Sequence, residues 1–525
     1  MRMTRRGMRL AAASAAGALL LTACGAADDG EIAGNGDGAG ETDATDEPAG
    51  EPQGGGELRM MVGPEPATLN PMRAVRSDHI ISIAMVEPLV KVDAASQELT
   101  EDGLVTGWER VDDTTWRFTV RDDVEFHNGE AFDAEAAVFA VEEHAADEQA
   151  VTGPFFQVFD TVEALSDTEF ELTTTGPNNS VPYLLTNVFA LPPEHYAEVG
   201  ADGYGQDPVG TGPFVFDEWV SGEHVRAVAN EAYWQEPAHL ESITWAWSAD
   251  ASTRVSLLQS DQADLVVDVP LGLQDDVEQA DGTDIVRYDR LVKFLLFLPL
   301  EGQTGDPDVR RAAAKAIDRE GIVEGVYEGV GARADRDFMN SFFDSAGGHD
   351  ESLDYDPEAA AEIVDSLDAP PSITLSWPVG RSQSPEAVAG MLEAVGFEVE
   401  RNPLDFGTFF SQAVAGEIEG PYIFGTMPTF PHEDVQAQGF LTSTSITRTC
   451  VDERFDELAA EAVAEDDRDG RTEVYNEMER IALYDLTCFV PLYEQVTAYG
   501  HASDVQGFEP ARDDLHDYRQ VWLDR

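Results

Sequence analysis

Hydrophobic and polar residues alternate strictly along residues 115–121 of the chain. Trp116, Phe118 and Val120 fall on one side of this segment, which is the pattern of a half-buried β-strand. The sequence His-Asn-Gly-Glu that follows at residues 127–130 predicts a turn.

Several helices are predicted from acidic residues that precede apolar stripes. Asp133 precedes apolar positions at helical spacing and is expected to cap a helix. Asp306 and Asp356 each stand before a proline, which favours the first helical position, and an apolar stripe follows each of them. Strand and helix patterns alternate in this way along residues 57–525 without a fixed-period repeat, so the sequence predicts a mixed α/β body and no solenoid.

The N-terminus predicts export. Residues 1–9 carry four Arg and no acid, and residues 10–21 form an apolar run that suits a signal peptide and is too short to span a bilayer. The run ends in Leu-Thr-Ala-Cys-Gly, which resembles the lipobox of bacterial lipoproteins, where the Cys receives a diacylglyceryl group and the chain is cut before it. The resemblance implies a lipoprotein signal peptide at residues 1–23 and lipidation of Cys24, and two acyl chains suffice for stable anchoring.

The segment after Cys24 has the composition of a tether. Residues 25–56 hold ten Gly and nine acids but no basic residue, and such a sequence cannot bury a core. Residues 24–56 are therefore predicted to be the lipidated Cys and a disordered tether. The pair Arg5-Arg6 keeps a twin-arginine export signal open beside the general secretory route.

The charge balance narrows the function classes. The 525 residues include 32 Lys and Arg against 102 Asp and Glu, a formal net charge of -70. This charge repels phosphate backbones and excludes nucleic acid as a partner. Nearly all basic residues are Arg, which leaves two explanations open: a GC-rich genome, or an acidic surface suited to salty surroundings.

The sequence carries no catalytic signature. Gly-x-Ser-x-Gly, His-Glu-x-x-His, P-loop and Cys-x-x-Cys motifs are all missing from it. His432-Glu433-Asp434 is the densest group of potential metal ligands, and it is interpreted as surface or loop because adjacent residues cannot all point one way. The sequence therefore predicts no enzyme, no catalytic residue, no cofactor and no metal site.

Several motifs occur in a fixed order along the chain. They are residues 113–130, Val-Gly-Thr-Gly-Pro-Phe at 209–214, Tyr233-Trp234, residues 257–265 and residues 308–319. In this order they resemble family 5 of the bacterial extracellular solute-binding proteins, the receptors of peptide and nickel ABC importers. The resemblance covers roughly residues 57–525.

That resemblance implies an α/β periplasmic-binding-protein fold, of type 2 and of the large three-subdomain variety, in which hinge strands join two lobes around the ligand. The implied organisation is a first lobe at 57–290 with an extra subdomain at about 85–205, a second lobe at 291–490, and a return to the first lobe at 491–525. Residues 291–300 and 490–499 are the expected crossing strands.

The resemblance also implies where a ligand binds. In peptide-binding members, an Asp of the second lobe pairs with the free amino group of the ligand. Alignment through Phe430 puts Thr429 in the place of this Asp, and a neutral hydroxyl cannot form a charge-assisted hydrogen bond to an ammonium group. A slip of the alignment would offer Glu433 or Asp434 instead, so both interpretations stay open.

Apolar side chains near this stretch are expected to line the pocket, because binding pockets are mostly apolar. The predicted ligand-binding residues are Pro71, Met72, Trp377, Phe406, Tyr422, Phe424, Met427, Thr429 and Phe430. For each aromatic residue among them, a place in the core is the alternative.

With Cys24 lipidated, Cys450 and Cys488 remain as an even pair in an exported, oxidising setting, which predicts a disulfide. Two separately buried thiols are the alternative.

The sequence as a whole predicts a monomeric extracytoplasmic lipoprotein, anchored to the cell membrane by its lipid. It would capture a peptide or peptide-like solute and deliver it to the transmembrane subunits of an ABC permease. Two alternatives stay open: a signalling or adhesion lipoprotein that reuses the fold, and a receptor for a non-peptide solute such as a nickel complex.

Overall fold

Strands and helices alternate in the computed structural model, which describes residues 52–74, 76–93, 96–334, 337–338, 351–427, 430–443, 445, 447–465 and 467–525. The predicted α/β class is confirmed. Contacts divide the chain into residues 1–49, which lie outside the described residues, and one unit of residues 50–525. The predicted signal peptide and Cys24 therefore also lie outside the described residues.

The strands are short except for two, β12 and β17. Their bounds are β1 (Glu57–Val62), β2 (Lys91–Val92), β3 (Leu99–Thr100), β4 (Val105–Asp112), β5 (Thr115–Val120), β6 (Phe159–Ser166), β7 (Glu169–Thr174), β8 (Phe214–Val220), β9 (His224–Ala229), β10 (Ser242–Trp247), β11 (Leu265–Val266), β12 (Thr283–Phe297), β13 (Ala332–Ala334), β14 (Ser372–Pro378), β15 (Glu398–Leu404), β16 (Tyr422–Thr426), β17 (Phe489–Ala502), β18 (Val505–Gln506) and β19 (Trp522–Leu523).

The helices are of ordinary length for a soluble domain. Their bounds are α1 (Arg76–Ser82), α2 (Ala134–Ala146), α3 (Val181–Leu184), α4 (Pro193–Tyr204), α5 (Ala251–Gln259), α6 (Leu271–Glu278), α7 (Pro307–Ala316), α8 (Arg319–Val326), α9 (Pro357–Ser366), α10 (Pro385–Ala394), α11 (Phe406–Ala415), α12 (Glu433–Phe440), α13 (Glu453–Ala464) and α14 (Arg468–Arg480). In the described part of the chain, no helix combines the length and the apolar composition that crossing a lipid bilayer requires.

The predicted local elements form as expected. Along β5, Trp116, Phe118 and Val120 are buried while the residues between them are more exposed. Asp133 caps α2 by accepting a hydrogen bond from the backbone N–H of Ala136. Asp306 and Asp356 cap α7 and α9 in the same way, so all three predicted helix starts are confirmed.

One large mixed sheet runs through the molecule in the order β15-β14-β16-β12-β17-β11-β1-β10-β9-β8, with β13 paired to β17. β1 runs parallel to β10 and β11, and β14 runs parallel to β15 and β16. A separate antiparallel sheet, β4-β5-β7-β6, lies within the segment predicted as the extra subdomain.

The long strands β12 and β17 join two apolar cores. They pair antiparallel along their whole length, but the register shifts between Asp289 and Lys293, where three residues of β12 stand opposite one of β17. Before this bulge, Val286 packs on a core that contains Met60. After it, Leu296 belongs to a second core. We call the parts of the molecule around these two cores the first and the second lobe.

A bulge bends its strand and interrupts the ladder, and this one lies between the parts of β12 that belong to the two lobes. The crossing strands were expected at 291–300 and 490–499. The structure extends β12 back to Thr283. Residues 283–290 pair with the end of β17, but their charged and apolar residues do not alternate strictly, so the sequence pattern did not reveal this part of the strand.

A buried carboxylate gathers the family-like motifs of the first lobe. Glu87 accepts hydrogen bonds from the Thr211 hydroxyl at 2.9 Å, the Tyr233 hydroxyl at 2.8 Å, the Trp234 indole N–H at 2.8 Å and the Lys91 ammonium at 2.8 Å. Glu87 is only 3% exposed. Because a buried carboxylate must be paired and hydrogen-bonded, these separated motifs together satisfy one buried charge.

His127 ties the turn after β5 to the same region. Its Nε2 lies 2.9 Å from the carbonyl oxygen of Gly212, and its Nδ1 accepts from the N–H of Gly210 at 3.3 Å. Burial lowers the pKa of His127. A Cβ at Gly210 or Gly212 would overlap the backbone of Met85, so both positions require glycine.

Candidate functional site

A cavity of about 80 Å³ lies where the first lobe meets the segment that follows β16. We call it the interlobe cavity, and it is lined by Pro71, Met72, Ala74, His79, Val151, Thr152, Asn187 and Met427. Three residues predicted from the sequence to bind ligand, Pro71, Met72 and Met427, are thus brought to one place. Met427 reaches it from the second lobe.

Hydrogen bonds fix the first-lobe wall of the interlobe cavity. The side-chain oxygen of Asn70 accepts from the N–H of Met72 at 3.1 Å, and its backbone oxygen accepts from the N–H of Ala74 at 2.9 Å. The Asn70 amide also donates to the carbonyl of Ala201 at 3.2 Å. The carbonyl of Met72 accepts from the N–H of Val151 at 3.0 Å, so both segments of the wall are held together.

Phe430 joins the two lobes. It has no exposed surface, and its ring packs edge-on against Phe155 at 5.2 Å and against Phe156 at 6.2 Å between centroids. It is therefore part of the first lobe's core although it follows a strand of the second lobe. In this arrangement Phe430 is a packing residue between lobes and offers no surface to a ligand.

The sequence interpretation of His432-Glu433-Asp434 as surface or loop is wrong. His432 is 2% exposed, packs its ring against Tyr183 of the first lobe at 4.6 Å, and caps α12 by accepting from the N–H of Asp434 at 3.2 Å. Asp434 is 2% exposed and accepts from the Gln438 amide at 2.6 Å. The alternative of Asp434 as an amine partner would require that buried carboxyl to reach the cleft.

Burial shifts the titration of both side chains. It lowers the pKa of His432 to about 3 and raises the pKa of Asp434 to about 7. The described residues contain no group of three His, Cys, Asp or Glu side chains arranged to hold a metal ion.

A side chain of the first lobe caps a helix of the second. The amide of Asn179 donates to the carbonyl of Ala462 at 2.9 Å and to the carbonyl of Glu465 at 2.9 Å. Both carbonyls lie at the C-terminal end of α13, where the last helical carbonyls have no partner within the helix. This contact holds only while the lobes touch.

Arg381 is a candidate binding residue that the sequence analysis missed. Its guanidinium lies 4.5 Å from the ring centre of Phe406, a predicted ligand-binding residue that is 40% exposed. Burial and the neighbouring charge of Arg290 lower the pKa of Arg381, while Asp268 raises it. Its position after the carboxyl end of the parallel strand β14 was the available signal, because ligands of open α/β sheets bind at such ends.

The remaining aromatic candidates belong to the second lobe's core. Tyr422 is 2% exposed and stacks on Phe297 at 4.6 Å. Trp377 is buried, and Phe424 is half-buried against Phe409 at 5.4 Å. For these residues the core alternative describes the structure better, because β14 and β16 each lie between two other strands of the sheet and these side chains pack in the apolar clusters of the second lobe.

The structure pairs Cys450 with Cys488 in a disulfide whose Cα atoms are 5.6 Å apart. It links the segment before α13 to the start of β17. Thr429 lies outside the described residues, so its position in the place of the amine-binding Asp stays a prediction.

Comparison with known proteins decides the family. The family model for bacterial extracellular solute-binding proteins, family 5, matches residues 100–448, more than half of the chain. The chain belongs to family 5 of the bacterial extracellular solute-binding proteins. The resemblance drawn from the motif order is confirmed, and the family's description places its members outside the cytoplasm.

Individual relatives of this family 5 protein are distant. It is 26% identical over 342 residues to the glutathione-binding protein GsiB of Pectobacterium atrosepticum, covering 63% of each chain. It is 25% identical over 262 residues to the nickel-binding protein NikA of Staphylococcus aureus, covering 50% of this chain and 52% of that one. The chain therefore spans less than two thirds of the length of these curated relatives.

A solved structure confirms the two-lobed fold. The periplasmic binding protein DppA of Helicobacter pylori, in complex with the peptide STSA, superposes with a TM-score of 0.78. The match covers 90% of this chain and 99% of DppA at 20% identity, which shows the fold alone.

Proposed function

We propose that this family 5 protein is the solute receptor of an ABC importer and captures a peptide or peptide-like compound between its two lobes. It does no chemistry on that compound and passes it to the transmembrane subunits of a permease. The carrying observation is the interlobe cavity, whose wall contains both Met72 of the first lobe and Met427 of the second. The relative GsiB is named for binding glutathione, and the DppA structure contains the peptide STSA; both support the peptide class.

We place the binding cleft between the two lobes expected from the sequence, at 57–290 and 291–490, with residues 491–525 returning to the first lobe. Arg381 and the exposed Phe406, which contact each other after β14 and at the start of α11, suit a solute that carries an anionic group beside an apolar one. Binding shifts the population toward the arrangement in which the lobes touch, because only that arrangement completes both walls.

The receptor is held at the membrane by a diacylglyceryl group on Cys24, with residues 25–56 as a tether, and acts as a monomer. The change Cys24→Ala removes the acylated thiol and is expected to release the chain from membranes. Sedimentation of the variant with membranes, at the level of the parent, would contradict the lipoprotein proposal.

Mass spectrometry of compounds that co-purify with the full chain tests the substrate class directly. A peptide or blocked peptide is the expected result. A nickel complex would replace the peptide proposal by the non-peptide alternative, and turnover of the captured compound would contradict the receptor proposal.

Calorimetric titration with matched free and N-acetylated dipeptides tests the amine site. If Thr429 replaces the amine-binding Asp, a buried ammonium lacks its partner at a cost of several kcal/mol. The acetylated form should then bind at least as well as the free form. A strong preference for the free amine would show that an acid still holds it.

A further inference from the structure

Among the side chains that the structure describes at the wall of the interlobe cavity, none is Asp, Glu, Lys or Arg. The chain has 102 Asp and Glu residues, yet the lining consists of aliphatic, thioether, hydroxyl, amide and imidazole groups. A carboxylate at the wall would require a cationic partner on the solute. The cavity makes no such demand.

The polar groups of the wall are turned to partners within the protein. The Thr152 hydroxyl lies 2.6 Å from Nε2 of His144, outside the cavity lining. Nε2 of His79 lies 2.9 Å from the carbonyl oxygen of Pro71, and the Asn187 amide donates to the Thr186 hydroxyl at 3.3 Å. What remains toward the cavity is mostly methyl, methylene and thioether surface.

The neighbour of Thr152 is itself uncharged at neutral pH. Burial lowers the pKa of His144 to about 4, since the imidazolium would lose its hydration there. His144 also packs its ring against Phe156 at 4.5 Å. His144 therefore adds no charge to the wall.

The size of the interlobe cavity sets a limit on its occupant. An apolar cavity of about 150 Å³ accepts a benzene molecule, so a volume of about 80 Å³ has room for a branched chain of roughly three or four carbons. A benzyl or indole group exceeds it.

We infer that the interlobe cavity is a selectivity subsite for a compact aliphatic group of the bound solute. The inference rests on the proposed receptor function and adds its substrate class: compounds with a side chain of about the size of Val or Leu. Met72 and Met427 contact this group from opposite lobes, and because thioether side chains adapt their shape, they close on it as the lobes meet. Binding of the aliphatic group in the cavity thus favours the arrangement in which the two lobes touch.

Xenon tests the cavity without reference to any solute. The full chain carries methionine methyl groups that can be labelled with ¹³C, and the changes Met72→Leu and Met427→Leu assign their resonances. Xenon enters dry apolar cavities and is expected to shift both resonances while that of Met85, buried elsewhere in the first lobe, stays in place. No shift, or an equal shift of Met85, would overturn the inference.

Variants of Ala74 sharpen this test. Ala74 is 3% exposed and lines the cavity, so Ala74→Leu fills the space and should abolish the xenon shift. Ala74→Val adds less volume and serves if the larger variant fails to fold. Val379→Leu, at a site that is 61% exposed, adds a methylene outside the cavity and should leave the shift unchanged.

Dipeptides test the selectivity. In the two series Xaa-Gly and Gly-Xaa, affinity should rise by roughly fourfold per buried methylene in one series, peak at Val or Leu, and fall at Phe. Ala74→Leu should move that peak to Gly or Ala. Affinity that keeps rising through Phe, or a peak that Ala74→Leu leaves in place, would overturn the inference. Failure of every dipeptide to bind would contradict the proposed peptide class, whereas the xenon result still decides whether the subsite exists.

Discussion

The carboxyl group of Asp434 is buried next to the contact between lobes, and its burial raises the pKa from the ordinary 3.8 to about 7. The folded chain therefore binds a proton here that the unfolded chain has already lost. Its contribution to stability is fully present below about pH 4, declines by about 1.4 kcal/mol per pH unit between pH 4 and 7, and changes no further above pH 7.

The change Asp434→Asn should remove this pH dependence, because the amide oxygen still accepts from Gln438 and carries no charge. At pH 8 we expect the variant to be more stable than the parent by about 2 to 4 kcal/mol, and at pH 4 the two should agree. Urea unfolding at both pH values measures the difference.

Asp452→Asn is the matched control for this experiment. The ion pair with Arg454 lowers the pKa of Asp452, so its removal should destabilise the chain slightly at neutral pH, with the opposite sign. An Asp434→Asn variant that loses stability at pH 8 would show that the ionised carboxylate is stabilised in the fold.

At the residue scale, the sequence indicated a cluster of apolar side chains near the expected ligand site. It did not indicate whether each one faces a core, the other lobe or a cavity. Tyr422, Phe430 and Met427 lie within one short segment, yet the structure places them in a core, between lobes and at a cavity, respectively. What decides among these places is the element packed opposite, which lies far away in sequence. His432 was misjudged for the same reason, and also because His is not among the side chains favoured as N-caps.

The hydrogen bonds between Asn179 and the end of α13 are expected to stabilise the arrangement in which the two lobes touch. Asn179→Asp keeps the shape of the side chain but replaces both donors by acceptors that face carbonyl oxygens. Each lost hydrogen bond is worth about 1 kcal/mol, so the equilibrium constant for contact between the lobes should fall by roughly thirtyfold when both are lost, and the bound solute should dissociate correspondingly faster. Stopped-flow dissociation and small-angle scattering measure the two effects.

Asn230→Asp is the control, because Asn230 donates to the carbonyl of Gly212 within the first lobe. It should affect stability without a matching change in the dissociation rate. Equal dissociation rates for Asn179→Asp and the parent would mean that this contact has no part in closure.

The disulfide between Cys450 and Cys488 closes a loop with a sequence separation of 38 residues. Loop-closure entropy gives a stabilisation of about 4 kcal/mol for a loop of this length. Thiol titration of the denatured, unreduced Cys24→Ala chain should find no free thiol, and the reduced sample should find two. Two free thiols before reduction would establish the alternative of separately buried cysteines.

Elements were predicted best where their signals are local. Asp133, Asp306 and Asp356 cap their helices because a cap needs only its own side chain and the next turn. β12 was predicted only in part, since residues 283–290 join the sheet through pairing with β17 and do not alternate strictly between apolar and polar.

For the whole molecule, the order of motifs was sufficient to identify the family because the motifs hold one another in place. Glu87 accepts hydrogen bonds from Thr211 of the 209–214 motif and from Trp234 of the Tyr-Trp motif. His127 of the 113–130 motif lies at hydrogen-bond distance from the backbone of Gly212 in the 209–214 motif. The contacts between lobes were beyond prediction from the sequence, because residues such as Asn179 and Ala462 that meet there are nearly 300 positions apart.

The net charge of the entire chain predicts how its stability depends on salt. Removal of residues 1–23 takes away four Arg and no acid, so the charge of the mature chain is -70 minus 4, or -74. Repulsion among so many like charges destabilises the compact state, and the Debye length falls from about 10 Å at 0.1 M salt to about 3 Å at 1 M. We therefore expect the melting temperature to rise between 0.1 M and 1 M NaCl. Ion pairs such as Arg59 with Asp264 weaken in salt and oppose the rise, but 32 Lys and Arg cannot pair with most of the 102 acids. A flat or falling melting temperature would show that the acidic composition reflects the genome and not adaptation to salt.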